Sequence, residues 1–211
     1  MTGVEDFALR LRSGQAAKNA PSAPSALDWL CMTSIYLRVA TLNDIPALRE
    51  LIERSVRELQ AGWYTAEQIE AAVRSVFGVD QQLIDDGTYY VAEIGGQLAG
   101  CGGWSKRGTL YGASHYDHSR NDVLLDPERD PARIRAFFTH PKFARKGVGR
   151  ALLERCEEEA RKAGFHSMEM ASTLPGVPLY AAHGYEAFET FDVPLPGGQS
   201  IQVRRMSRRI E

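Results

Sequence analysis

The residues most able to do chemistry lie in one unbroken run, Ala132 to Ala163, reading ARIRAFFTHPKFARKGVGRALLERCEEEARKA. Three bases, Arg145, Lys146 and Arg150, are set there around Gly147 and Gly149. Residues without Cβ let the backbone curl and turn its N–H groups onto a ligand. Bases at the start of a helix oppose the macrodipole, and a bound anion relieves that cost. The run therefore predicts an anion cradle. It is neither a Walker A loop, which needs Gly-Lys followed by Ser or Thr, nor a Rossmann turn, because the third glycine is missing.

Two elements must hold such a loop. Before it, Ala132 to Thr139 reads as a strand. After it, Leu152, Leu153, Cys156, Ala160 and Ala163 fall on one helical face and charged residues fill the others, Glu157 among them. Strand, loop and helix together are the layout of a phosphate site.

Composition narrows the partners. A formal net charge of -2 on 211 residues gives no basis for a nucleic-acid or anionic-membrane partner, and the length suits one domain with an extension. No apolar run reaches the roughly 20 residues of a transmembrane helix, and there is no compact signal-peptide core, so a cytoplasmic protein is expected. Cys31, Cys101 and Cys156 show neither CxxC nor zinc-ligand spacing and read as reduced thiols with no catalytic part.

In chain order, residues 1–33 read as a flexible leader rich in Ala, Ser, Pro and Gly, and Met32 could be the true start. The domain then runs over 34–211. The first strand is Ser34 to Val39. A helix follows from Asp44 to about Gln60, capped by Thr41 or Asn43, and a second begins at Thr65 with Gln68 completing a capping box. Between them, Trp63 and Tyr64 are aromatics placed to line a pocket or to pack between the helices. Thr88 to Trp104 forms a hairpin across Gly95-Gly96, with glycines in its second strand that predict a bulge or a close backbone approach.

Ser105 to Arg129 is a long polar segment and a candidate lid. His115, Asp117, His118 and Asp122 lie in it, but no helix fixes the two imidazoles, so no metal is expected. A strand from His166 to Ser172, a short helix from Val177 to His183 and a closing hairpin over Ala187 to Ile210 complete a mixed sheet covered by helices. The basic run Arg204 to Arg209 reads as a solvated strand edge.

Three pieces, in this order and at this separation, resemble the GNAT superfamily of acyl-CoA-dependent N-acyltransferases. They are Leu37 to Asp44; Phe138-Thr139-His140-Pro141 with Ala144 to Leu153; and Leu179-Tyr180-Ala181-Ala182-His183-Gly184-Tyr185. The resemblance covers about Ile35 to the C-terminus. It implies an α/β (α+β) fold with a mostly antiparallel central sheet, flanked by helices and splayed between its central strands.

The resemblance also implies roles. The loop corresponds to Q/R-x-x-G-x-G/A, so the amides of Arg145, Lys146, Gly147, Val148, Gly149 and Arg150 would hold the pyrophosphate of coenzyme A. Ala144 stands where Gln or Arg is usual. Phe137, Phe138 and Thr139 would bind pantetheine through their backbone, with a main-chain N–H near Phe138 on the thioester oxygen. Tyr180 would be the general acid for the leaving thiolate. Trp63, Tyr64 and His115 would border the acceptor.

No general base is evident; Glu93, His115, Asp130 and a water chain are the alternatives. The implied activity is acetyl transfer from acetyl-CoA, without a metal, to a primary amine of a small molecule or protein by direct attack. The alternative is a non-catalytic acyl-CoA-binding module. Dimers are frequent in that family, so a homodimer is compatible with the resemblance.

Overall fold

The computed structural model describes residues 34–116 and 120–210. The leader, the Met32 start, Asp117 and His118 lie outside the described residues.

Seven strands form one sheet in the order β1-β2-β3-β4-β5-β7-β6. They are β1 Ile35–Val39, β2 Tyr89–Ile94, β3 Gln97–Ser105, β4 Ala132–Thr139, β5 Ser167–Thr173, β6 Glu186–Leu195 and β7 Gln199–Arg209. Every neighbouring pair is antiparallel except β4 and β5. The helices are α1 Ile45–Leu59, α2 Ala66–Arg74, α3 Gln81–Asp85, α4 Val148–Lys162 and α5 Val177–Ala181. This is the mixed, mostly antiparallel architecture expected from the sequence.

The sheet is buried on both faces. Along β2, Tyr89 and Val91 enter the core under α1 and α2, while Tyr90, Ala92 and Ile94 enter the core under α4. A strand covered on both sides reads as a continuous apolar run, as Tyr89 to Ala92 does. Gly95 and Gly96 turn the chain into β3 with φ of +56° and +72°, the left-handed pair a two-residue hairpin requires.

A three-residue turn, Leu42–Asp44, leads into α1. The Asp44 carboxylate accepts from the Thr41 N–H at 2.7 Å and from both terminal nitrogens of Arg38, at 2.9 and 2.7 Å. The Arg38 guanidinium is the main reason its pKa is lowered from 3.8 to about 2. A depressed carboxylate stabilises the fold above the unfolded value, and that stability is lost as pH falls from 3.8 through about 2. Asp44→Asn is expected to reduce stability by about 1 kcal/mol at pH 7. The gap between variant and parent should shrink toward zero near pH 2, read by urea denaturation at each pH. An unchanged gap there would remove the ion pair as its cause.

α4 buries Leu152, Leu153, Cys156 and Ala160 as its spacing predicts, but two positions differ. Ala163 is exposed beyond the helix, whereas Glu157 is 4% exposed on the packed face. Its carboxylate accepts from the Tyr185 hydroxyl at 3.0 Å and from Arg208 Nη1 at 3.1 Å, partners that lie far along the chain.

Three further points add to or correct the sequence reading. α3 was not anticipated, because a five-residue helix is too short to display a period. The basic run of β7 is not an edge: β7 lies between β5 and β6, with Arg205 paired to Glu169 and Glu189. The Ser105–Arg129 segment, the candidate lid, is pinned at its base. Gly108 N–H donates to Val123 O at 3.0 Å, Leu125 N–H to Lys106 O at 2.9 Å, and Arg107 pairs with Asp86 at 2.7 Å. Among the described residues no helix is long and apolar enough to cross a membrane.

Candidate active site

β4 and β5 are paired only at Ala132 with Met168 and at Arg133 with Glu169; beyond these the strands part. The cause lies in β4. Ala136 has φ +54°, and the register against β3 slips between Cys101 and Gly103. That is a bulge, which bends the strand and frees its backbone from the ladder. Gly102 makes room for it, since a Cβ there would stand 2.6 Å from the Phe137 ring.

The bulge also decides which amides face the gap. His140 N–H donates to Ala99 O at 2.9 Å, and Phe138 pairs with Cys101 two residues along the same ladder. Hydrogen-bonding direction alternates along a regular strand, so the Phe138 amide points at β3 and that of Thr139 points into the gap, while Phe137 lies in the bulge, outside the ladder. The Ala136 carbonyl accepts from the Tyr89 hydroxyl at 3.1 Å on the α1 side, which turns the Phe137 N–H away from that side. The oxyanion contact expected near Phe138 falls within this stretch, where Phe138 itself is paired with Cys101 of β3.

The glycine loop follows. Gly147 has φ +86° and Arg145 φ +63°. Among the described residues, Ala136 and Arg145 are the two non-glycine residues with positive φ, and both line the same cavity. Each such conformation costs roughly 1–2 kcal/mol and persists where surrounding structure enforces it. The amides of Arg145, Gly147, Val148, Gly149 and Arg150 have no partner among the described residues. They form a row of free donors at the start of α4.

The bases are unequal. Arg150 pairs with Glu154 at 2.7 Å, and Lys146 lies 5.3 Å from the Phe143 ring centre, away from the cavity wall. Arg145 has no ion-pair partner among the described residues and lines the cavity, as does Ala144. Gly147→Ala tests the loop cleanly, because its Cβ would meet nothing nearer than Ile35 Cδ1 at 3.7 Å. Its effect is then backbone strain alone, about 1 kcal/mol of stability. Calorimetry should show CoA affinity reduced about tenfold as the amides lose their aim. Unchanged affinity would detach the loop from CoA.

Loop, gap and bulge border one cavity of ≈ 630 Å³ that passes from α4 to the α1–α2 side of the sheet. Tyr180 in α5 is 6% exposed on its wall. Its ring centre lies 6.2 Å from that of Phe137 and 6.0 Å from that of Tyr185. Its hydroxyl has no partner among the described residues, and burial raises its pKa above the ordinary 10.

The three acceptor residues are dispersed. Trp63, 53% exposed, stands at the cavity rim. Tyr64 is buried; its hydroxyl donates to Gln202 O at 2.7 Å and accepts from Leu174 N–H at 2.9 Å, so it holds the sheet and does not line this cavity. His115 borders a separate cavity of ≈ 330 Å³, packed near Gly78.

Glu93 is held by Arg38 at 2.9 Å, and Asp130 accepts from Asp126 N–H at 2.8 Å. Among the described residues lining the main cavity there is no Asp, Glu or His. Cys101 and Cys156 are buried free thiols; burial pushes Cys101 up to about 12 and raises Cys156 as well, which disfavours either as a nucleophile. Arg135 also lines the cavity and was missed, although an arginine within the apolar run Ile134 to Phe138 was a readable signal.

The family model for acetyltransferase (GNAT) matches residues 48–185, and the chain belongs to that family. No curated protein sequence matches it. Solved structures share its fold. A GCN5-related N-acetyltransferase from Rhodopseudomonas palustris aligns with a TM-score of 0.63 at 20% identity, over 84% of this chain and 97% of that one. PaiA N-acetyltransferase from Thermoplasma acidophilum, solved in complex with coenzyme A, aligns at 0.58 and 17% identity, over 83% and 99%. YncA, a putative acetyltransferase from Salmonella typhimurium solved with acetyl-CoA, aligns at 0.56 and 19%, over 84% and 94%.

Proposed function

We propose that the protein transfers the acetyl group of acetyl-CoA to a primary amine by direct attack in a ternary complex. The observation that carries this reading is the confluence in one cavity of the unpartnered amides of the Gly147 loop, the bulged gap of β4 and the Tyr180 hydroxyl. The loop amides suit the pyrophosphate. Phe137 and Thr139 offer backbone groups to pantetheine, and the Phe137 N–H suits the oxygen that becomes negative when the amine attacks.

The nitrogen bonds to the thioester carbon, and the carbon–sulfur bond breaks as the tetrahedral intermediate collapses. Of the two protons an ammonium gives up, one goes to solvent by way of cavity water and the other replaces the one that Tyr180 donates to the sulfur. Beside the buried Tyr180 a bare thiolate is disfavoured, which favours its protonation by a phenol kept neutral by burial.

The lack of a carboxylate or imidazole on the wall favours a second reading, a CoA-binding module without turnover. Thiol release from acetyl-CoA across a panel of amines, run beside calorimetry of CoA, separates the two. Binding with turnover supports the enzyme; binding with no turnover on any amine supports the module; no binding defeats both.

A further inference from the structure

The main cavity joins the two faces of the sheet through the gap between β4 and β5. On the α4 face its wall includes Ile134, Met170 and Tyr180; on the other face it includes Phe77, Tyr111, Phe138, Val193, Ile201 and Val203, all packed in the core under α1 and α2. That second lobe is where an acceptor would stand with CoA on the loop side. Arg135 also lines the cavity, but its charge is committed. It is 5% exposed, its Nη2 lies 2.8 Å from Asp80 Oδ2, and the same nitrogen donates to Gly112 O. Arg120 Nη1 is 3.7 Å from the same buried carboxylate.

The second cavity, of ≈ 330 Å³, is bordered by Ile45 and Ile52 of α1, Val73 of α2 and Val79. Phe77 and Gly78 border both cavities and so form the partition between them. Gly78 is fixed in place, because a Cβ there would stand 2.9 Å from His115 Cε1. The Phe77 ring meets that of Phe138 edge-on, with ring centres 5.9 Å apart. Phe138 lies on β4 where the strands have parted, so Phe77 stands one ring contact from the gap.

We propose that the acceptor is a primary monoamine with an uncharged, apolar body, and that Phe77 sets the length of body the lobe admits. This rests on the acetyl-transfer reading, and the bonds made and broken are the same. Apolar walls favour each methylene they bury. They also disfavour the charged form of the amine, which eases the proton loss that attack requires. A second ammonium would be desolvated on a wall that carries Arg135 and, among the described residues, no carboxylate.

The test is kcat/KM for thiol release from acetyl-CoA by the unaltered protein with ethylamine, butylamine, hexylamine and octylamine, beside the α,ω-diamine of butylamine's length. The simple alkylamines share nearly the same basicity, so differences among them report the lobe. From ethylamine to butylamine the value is expected to rise about tenfold, and from hexylamine to octylamine it should rise no further. The diamine should fall about tenfold or more below butylamine. A flat alkyl series, a rise that continues through octylamine, or a diamine equal to butylamine would overturn the proposal and leave acetyl transfer standing. Failure to bind CoA, or turnover of no amine, would instead overturn acetyl transfer and the proposal with it.

Phe77→Ala removes the ring from the partition. Its octylamine-to-butylamine ratio of kcat/KM should exceed the parent's by about tenfold, with CoA affinity unaltered. A gain on the longer amine does not arise from damage to the fold, and a ratio equal to the parent's would overturn the role of Phe77. Phe77→Leu, a smaller loss of volume, should move the ratio the same way by less. The alkyl series in the unaltered protein does not depend on either variant folding.

Discussion

Tyr180→Phe is expected to lower kcat for amine acetylation by about 10²- to 10⁴-fold, the range typical of removing a positioned general acid. CoA affinity and stability should barely move. The ring is kept, so its contacts with Phe137 and Tyr185 survive, and the lost hydroxyl has no partner among the described residues to leave unsatisfied. Stopped-flow detection of released thiol, with CoA calorimetry and a thermal melt on the same preparation, checks all three. Because burial raises the phenol's pKa, Tyr180 stays protonated through neutral and moderately alkaline pH, and the parent should show no loss of rate from its ionisation below about pH 10. A variant with full kcat would assign leaving-group protonation to water.

Asp80→Ala should have the largest effect on stability, a loss of about 3–5 kcal/mol, because it strands the buried Arg135 guanidinium without a counter-charge. Burial already opposes that charge, pulling the Arg135 pKa below its ordinary value. In the double variant Asp80→Ala/Arg135→Met an apolar side chain replaces the charge and most of the loss should be recovered. Urea denaturation midpoints at constant m-value measure both. A single-variant loss under about 1 kcal/mol would show that Arg120, 3.7 Å from Asp80, is not part of a tightly coupled cluster and that Arg135 is solvated through the cavity. The contrast with Asp44→Asn is instructive: both carboxylates meet arginine, but Asp44 is near the surface and Asp80 has no contact with water.

Much of the fold was legible because its signals are local. The Thr65–Gln68 capping box, the Gly95-Gly96 turn and the apolar face Leu152, Leu153, Cys156 and Ala160 each depend on residues within a turn or two of one another. The glycine loop was legible for the same reason: Gly147 caps α4 and Gly149 lies in its first turn. What escaped was long-range. Glu157 looks like any solvent-facing helix acid until Tyr185 and Arg208 are brought against it. Tyr64 looks like a pocket aromatic until β7 supplies the Gln202 carbonyl.

The sequence by itself determined the family, the order of the elements other than the short α3, and the glycine loop at the start of α4, since these follow from residue type and short spacing. Only the tertiary structure decided that Phe138 is paired with β3 while its neighbours Ala136 and Phe137 are bulged out of the ladder. That choice depends on where the Ala136 bulge falls against β3, which is a matter of strand register. It likewise parted His115 from the main cavity and set Arg135 on its wall beside Asp80, because burial of a charge is resolved only when the partner that neutralises it is brought there by folding.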